Sequence, residues 1–428
     1  MAELTRKQQR IIGFALDRLF GQGSFIAPSS LKDVPSKTFF IRELRLTGNR
    51  LILLSDDGLT YMRRIVGTID EADIFDDMAD YSDIGEACRH IIKDLLSKGM
   101  MPSNATEFIE LLRDQVKAKI TNYMYAVPLF GVELDGIDVM NLGSMKIARS
   151  PISDIKAAGI DEGYESLLAI TETTMPNLWL LGSAKGTPRV AQGKFREKAD
   201  LAAGMLAISA ASMYERGASA FRIGVVMAPE YAQGRAIWLS WNSNDPTLST
   251  HYDFGRSQLL EINATFMEQF TCGGVLERIL KIFESDSRTQ LENAIMRAVY
   301  WFSDAQRDVL PVMKFIKYWS CIETFFSDDK NITQSLSIGI TSVLVFGGFG
   351  FVPKKEYGSF KKRISQLYDL RSRAIHGAAY HHISEHDVGS LSQWAAWMLI
   401  NMVSFVERGY TKVDQIKATA DRLGEELA

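Results

Sequence analysis

Cysteine is nearly absent: the 428-residue chain has three, Cys88, Cys272 and Cys321. They are odd in number and far apart, which excludes a disulfide framework and the usual zinc spacings and predicts a reducing, cytoplasmic setting. The opening residues, MAELTRKQQR, contain no apolar segment of the kind a secretory signal needs. An excess of basic charge is missing too, since 48 Lys and Arg stand against 52 Asp and Glu, a formal net charge of −4. No whole-molecule positive field can attract a polyanion, so a nucleic-acid partner has to be met by a local patch. Internal repeats, low-complexity tracts and obvious flexible linkers are also lacking.

Long hydrophobic runs are limited to one. Residues 331–353 carry no charge, yet Thr341, Ser342 and the glycines Gly339, Gly347, Gly348 and Gly350 interrupt them. Their dense apolar part is shorter than the ~20 residues a membrane span needs. The stretch reads as a buried helix ending in a glycine-rich turn, and no membrane partner is expected.

The remaining composition, 46% hydrophobic and 23% charged, is that of a globular protein long enough for two or three domains. Apolar spacing predicts an α+β chain: a mixed, β-rich region over residues 1–285, in one or two subdomains, then an all-helical bundle over 286–428. In the first region a helix is expected over Arg6 to Phe20. Three strands should follow between Thr38 and Val66, turning at Thr47–Arg50 and at Ser55–Gly58. Helices are expected from Ile84 to Lys119 and from Phe195 to Tyr214, with strands over Val127–Ile147, Leu178–Leu181, Phe221–Met227 and Ala236–Trp241. Eight carboxylates and no basic residue lie between Asp70 and Glu86. Asp73, Asp76, Asp77 and Asp80 fall on one face if that run is helical. Without the glycine-containing loop of an EF-hand, a solvated face or linker is the expected reading.

Histidine is scarce, but four of six fall within eleven residues: His376, His381, His382 and His386. The first closes the string LRSRAIHG, in which Arg371 precedes His376 by five positions. Arginine stays cationic at physiological pH and histidine titrates near neutrality, so the two can together hold a phosphate and move a proton. On the helix expected over Leu310–Phe326, Glu323 shares an apolar stripe with Val312, Ile316 and Trp319. Arg371 likewise lies in line with Phe360, Ile364, Leu367 and Ile375. A charge on an apolar face is costly unless paired, so a Glu323–Arg371 ion pair is expected.

Five helical positions turn about 500°, which leaves Arg371 and His376 about 140° apart. They do not share a face, and Gly377 is expected to cap the helix so that His376 sits at its end. Arg373, three residues from His376, is the rival arginine. Lys354, Lys355, Lys361, Lys362 and Arg363 form a basic stretch ahead of the motif, suited to a phosphate track. His382 and His386 are four apart, a spacing that can hold a metal only if both are helical. Ser384 and Asp387 read instead as a capping box that leaves His382 outside the last helix. No metal or other cofactor is expected.

The string ISQLYDLRSRAIHG, Ile364 to Gly377, resembles the signature helix of HEPN domains, particularly the Apea-like branch. The helix FIKYWSCIETFF, Phe315 to Phe326, is similar to the one that precedes it there, with Glu323 in the place of the helix-borne acid. Thr333 to Val345 is similar to the intervening apolar helix. The resemblance covers the last third of the chain.

It implies a compact helical domain that dimerises, and a metal-independent endoribonuclease of an anti-phage, abortive-infection or toxin-type system. The arginine and histidine motifs of two protomers would form one composite site. Arg371 and His376 would then be catalytic, with Glu323 in support. Ser372, Arg373, Lys361, Lys362, Arg363, His381 and His382 would contact RNA. A phage-derived trigger is a further expected partner, and the amino-terminal region would sense it or present substrate. The chain departs from the family in having Ser372 where active members often carry Asn, Asp or His, and Tyr380 four rather than two residues after the histidine. The alternative is a catalytically silent module that binds RNA, nucleotide or protein.

Overall fold

The computed structural model of the chain describes residues 3–27, 42–47, 50–157, 178–214, 221–225, 236–242, 245–253, 258–270, 274–285, 287–326, 332–377 and 382–426. The fold is mixed α+β, with strands confined to the amino-terminal part and helices alone in the carboxy-terminal part among the described residues. The chain divides into two compact units, Met1–Met124 with Ser183–Phe195 and Tyr125–Gly182 with Arg196–Ala428. Residues 286–428 lie within the second, together with most of the strands.

In the first unit, helix α1 (Arg6–Leu19) starts at a capping box between Thr5 and Gln8 and buries Ile12, Ala15, Leu16 and Leu19. Strands β1 (Phe25–Ile26), β2 (Glu43–Arg45) and β3 (Leu51–Leu54) form an antiparallel sheet in the order β1-β3-β2. Arg45 faces Leu51 across β2 and β3, and residues 48–49, at the centre of the predicted turn Thr47–Arg50, lie outside the described residues. The second predicted turn does not form. Ser55 is instead the N-cap of helix α2 (Asp56–Asp70), its hydroxyl accepting from the Gly58 amide. The third strand comes from upstream, at Phe25. Ser-Asp-Asp-Gly suits a turn and a helix start alike, and the buried stripe Met62, Ile65, Val66 and Ile69 decides for the helix.

Helices α3 (Tyr81–Lys98) and α4 (Ala105–Lys117) follow, and Ile84, Cys88, Ile91, Phe108 and Leu112 pack with the buried faces of α1 and α2 in one core. Burial pushes the Cys88 thiol up to about 12, which leaves it protonated and inert at neutral pH. Gly58 is required by a close approach. A Cβ there would lie 2.4 Å from the Ser24 carbonyl oxygen. Gly58→Ala is expected to destabilise the protein by about 1–3 kcal/mol. Gly67→Ala on the same helix meets nothing within 4 Å and should be neutral or stabilising. Thermal melts of the two variants check the contrast.

The acidic run is not a helical face. Asp73, Asp76 and Asp77 have φ of 44°, 52° and 55°, a left-handed conformation that aspartate tolerates better than most residues. The turns they make bury Ile74 and Phe75, and Asp80 caps α3 in a capping box with Asp83. Local aspartate chemistry overrides helical continuation here.

In the second unit, a five-stranded sheet has the order β6-β7-β8-β4-β9. Its strands are β4 (Thr121–Phe130), β6 (Val139–Leu142), β7 (Met145–Ala148), β8 (Leu178–Gly186) and β9 (Gly224–Val225). A short β5 (Val132–Leu134) pairs in parallel with β12 (Leu260–Ile262), and β10 (Ala236–Asn242) forms an antiparallel ribbon with β11 (Asp245–Asp253). Helix α5 (Ile152–Ala157) follows β7, and α6 (Pro188–Met213) follows β8.

Alanine-rich α6 presents a small-residue face, and a Cβ on Gly204 would lie 2.9 Å from that of Ser303. Ser303 belongs to α9 (Gln290–Arg307), which comes after α7 (Ala264–Phe270) and α8 (Val275–Glu284). Then come α10 (Pro311–Phe326), α11 (Ile332–Phe346), α12 (Tyr357–Gly377), α13 (Glu385–Glu407) and α14 (Val413–Glu426). Spacing alone did not single out α14. The charge-free stretch forms α11, which buries Leu336, Ile340 and Leu344, and no described helix is long and apolar enough to cross a membrane.

Candidate functional site

Helices α10 and α12 pack against each other, and α10 also packs on α9 and α13. The buried face of α10 runs through Phe315, Tyr318, Trp319, Ile322, Phe325 and Phe326. It is rotated from the predicted stripe, for Val312, Ile316 and Glu323 lie at its half-buried margin. On α12 the buried line is Ile364, Leu367, Leu370 and Ala374, while Ile375 is exposed. The reason is shared: each helix contacts neighbours on two sides, and the larger aromatic and leucine surfaces take the centre. A margin position suits a charge, because the group keeps part of its hydration.

The predicted ion pair forms. Arg371 Nη2 donates to Glu323 Oε2 at 2.8 Å, with both side chains 19% exposed. Burial holds the Glu323 carboxyl above its usual range, and Arg371 with the Tyr368 hydroxyl offsets only part of that. Tyr368, one turn before Arg371, donates to Glu323. Its ring stacks edge-on against Trp319 at 5.3 Å, and the Arg371 guanidinium lies 5.5 Å from its centroid. Arg371 Nε has no hydrogen-bond partner among the described residues. The guanidinium is thus oriented by a carboxylate and an aromatic face while keeping unused donor capacity. Sequence reasoning missed Tyr368; its i, i+3 spacing from Arg371 was the available signal.

Helix α12 is continuous from Arg371 to Gly377, so the angular separation of Arg371 and His376 stands. Arg371 is turned to α10, and His376 is exposed in the last turn. One chain does not bring them to a common face. Gly377 is helical rather than a residue beyond the helix, and residues 378–381 lie outside the described residues.

The other predicted contacts divide. Lys362 and Arg373 are exposed, and Lys361 and Ser372 are half-buried. Arg363 is committed elsewhere, with Nη2 at 2.5 Å from Asp387 Oδ1. Asp387 is the acid of the capping box with Ser384 that opens α13, as predicted. His382 is exposed ahead of that cap and His386 is exposed in the first turn, so the two do not form a helical i, i+4 pair. His381 and Tyr380 lie outside the described residues. Among the described residues, no group of three His, Cys, Asp or Glu side chains is set to hold a metal ion.

The cap carries a pH dependence. Burial acts to raise Asp387, but hydrogen bonds from Ser384 and the Arg363 charge outweigh it and hold the carboxyl below its usual value. A carboxyl lowered on folding adds stability above its unfolded value and loses it as pH falls through the folded one. Asp387→Asn should therefore lower the melting temperature at pH 6, with the difference from the unmodified chain shrinking in the acid range. A difference independent of pH would contradict the assignment.

Compared with family models, with curated proteins and with solved structures, the chain has no match.

Proposed function

We propose that the protein is an RNA endonuclease of a prokaryotic defence system, working as a homodimer with a composite Arg371–His376 site. The observation that carries it is Arg371 itself, a half-buried cation fixed by Glu323 and Tyr368 one and a half turns before an exposed histidine. Arg371 would bind the scissile phosphate and stabilise its developing charge. His376, from the facing protomer, would act as general base or acid for attack of the ribose 2′-hydroxyl on the adjacent phosphorus. The P–O bond to the 5′-oxygen breaks, leaving a 2′,3′-cyclic phosphate and a 5′-hydroxyl. DNA, without the 2′-hydroxyl, resists.

Glu323 positions the guanidinium, and exposed Lys362 and Arg373 with Lys361 extend the positive surface along the strand. The test is incubation of the pure protein with RNA under EDTA, with analysis of the product ends. Chelation-resistant cleavage yielding cyclic phosphates supports the reading, and identical cleavage by His376→Ala overturns it.

A second reading is favoured by the same ion pair. Arg371 already has a carboxylate partner, as in a structural salt bridge. The helices would then form a silent module binding RNA, nucleotide or protein. Under that reading Lys361→Ala with Lys362→Ala abolishes binding, while His376→Ala leaves biological function intact.

A further inference from the structure

The outward face of α9 carries Asn293, Met296, Arg297, Tyr300 and Trp301, spaced by three and four so that they form one stripe. The opposite face is wholly committed to the core through Leu291, Ile295, Ala298, Val299 and Phe302. With Glu197 on α6 and the end of α8, the outward stripe lines a cleft of about 410 Å³. That volume is within the range of small-molecule sites.

The chemistry of the cleft is specific. Tyr300 and Trp301 expose 46% and 36% of their surface, with ring centroids 6.2 Å apart at 71°. Arg288 is held in the wall, its Nε donating to the Ile282 carbonyl at 2.8 Å and its Nη2 to the Phe283 carbonyl. Arg297 is exposed and forms no ion pair among the described residues. Flat π surface, an uncommitted cation and a carboxylate therefore meet in one concavity. A ligand that uses all three has a planar ring, an anionic group and N–H donors on the ring edge. Guanine presents N1–H and its 2-amino group side by side, two donors for two carboxylate oxygens. Adenine, cytosine and uracil each offer a single donor group on that edge.

We infer that this cleft binds a guanine nucleotide, free or as an unpaired residue of single-stranded RNA. The base stacks on the Trp301 face with its edge against Tyr300, its Watson–Crick edge meets Glu197, and its phosphate meets Arg297. The inference stands on α6, α8 and α9 and does not need the Arg371–His376 reading.

The full chain is titrated calorimetrically with guanosine and adenosine 5′-monophosphates. A labelled uridine tract with a single guanine is titrated by anisotropy. Guanosine monophosphate is expected to bind saturably and at least about tenfold more tightly than the adenosine form. Trp301→Ala and Arg297→Ala should each weaken it about tenfold or more, on the scale of lost base stacking. Glu197→Gln should bring the two nucleotides level. All three side chains are exposed, and unchanged thermal melts establish that the variants fold. Tighter binding of the oligonucleotide, competed by guanosine monophosphate, assigns the source as RNA, and binding of the mononucleotide alone assigns a free nucleotide. No saturable binding of either at millimolar concentration overturns the inference. So does affinity unchanged in the Trp301 and Arg297 variants, or equal affinity for both nucleotides.

Discussion

Alanine at His376 is expected to lower the rate of RNA cleavage by about 10²–10⁴-fold, the contribution typical of a general acid or base. His376 is exposed at the end of α12 and packs in no core, so its loss should leave the melting temperature unchanged. A rate lost without stability lost separates a chemical role from a structural one. Arg371→Ala should behave differently. It removes the partner of a half-buried carboxylate, so both cleavage and stability fall. Because burial already holds Glu323 above its usual range, the orphaned carboxyl is raised further. A group raised on folding favours the folded state below its unfolded value and ceases to do so as pH rises through the folded one. The Arg371→Ala deficit in stability should accordingly be larger at pH 7 than at pH 4, in melts over that range. A His376→Ala protein that cleaves RNA at the native rate would remove the basis for the enzymatic reading.

The largest stability effect is expected at Asp200. Its carboxylate on α6 pairs with Arg307 at the end of α9, and the two side chains are 10% and 5% exposed. Arg307 also reaches Asp304 at 3.6 Å, and Lys317 bridges Asp304 and Asp308 at 2.8 Å each. Burial pushes Asp200 up despite the opposing charges of Arg307 and Arg196. Asp200→Ala removes the nearest counter-charge of a buried guanidinium and should cost about 3–5 kcal/mol. Ser303→Ala, which removes one hydrogen bond to the Asp200 carbonyl, should cost nearer 1 kcal/mol. Urea midpoints of the two variants give the comparison, and equal losses would show that the ion pair is only weakly coupled to folding. Double replacement by Leu at Asp200 and Met at Arg307 should recover much of the stability, since two apolar side chains carry no desolvation cost.

Legibility in the sequence followed the range of the interaction. Helices α9 to α13 could be read from apolar spacing, and the Ser384–Asp387 cap from two residues three apart. The Glu323–Arg371 pair was accessible because two charges on apolar faces pose the same energetic problem. Ser55 is ambiguous in sequence because the same four residues serve a turn or a helix start, and only the buried stripe that follows distinguishes them. The exact buried faces of α10 and α12 were missed, since spacing defines a face only to within a residue or so while packing selects its centre.

The sequence by itself determined the succession of helices α9 to α13, and an arginine and histidine that a straight helix cannot turn to one side. Each depends on composition or on residues within two turns of each other. Only the tertiary structure decided that Tyr368 and Trp319 support Arg371, that Asp200 lies against Arg307, and that Glu197 shares a cleft with Arg297 and Trp301. Those contacts join separate elements, and local periodicity carries no information about which faces will meet once the chain has closed around its core.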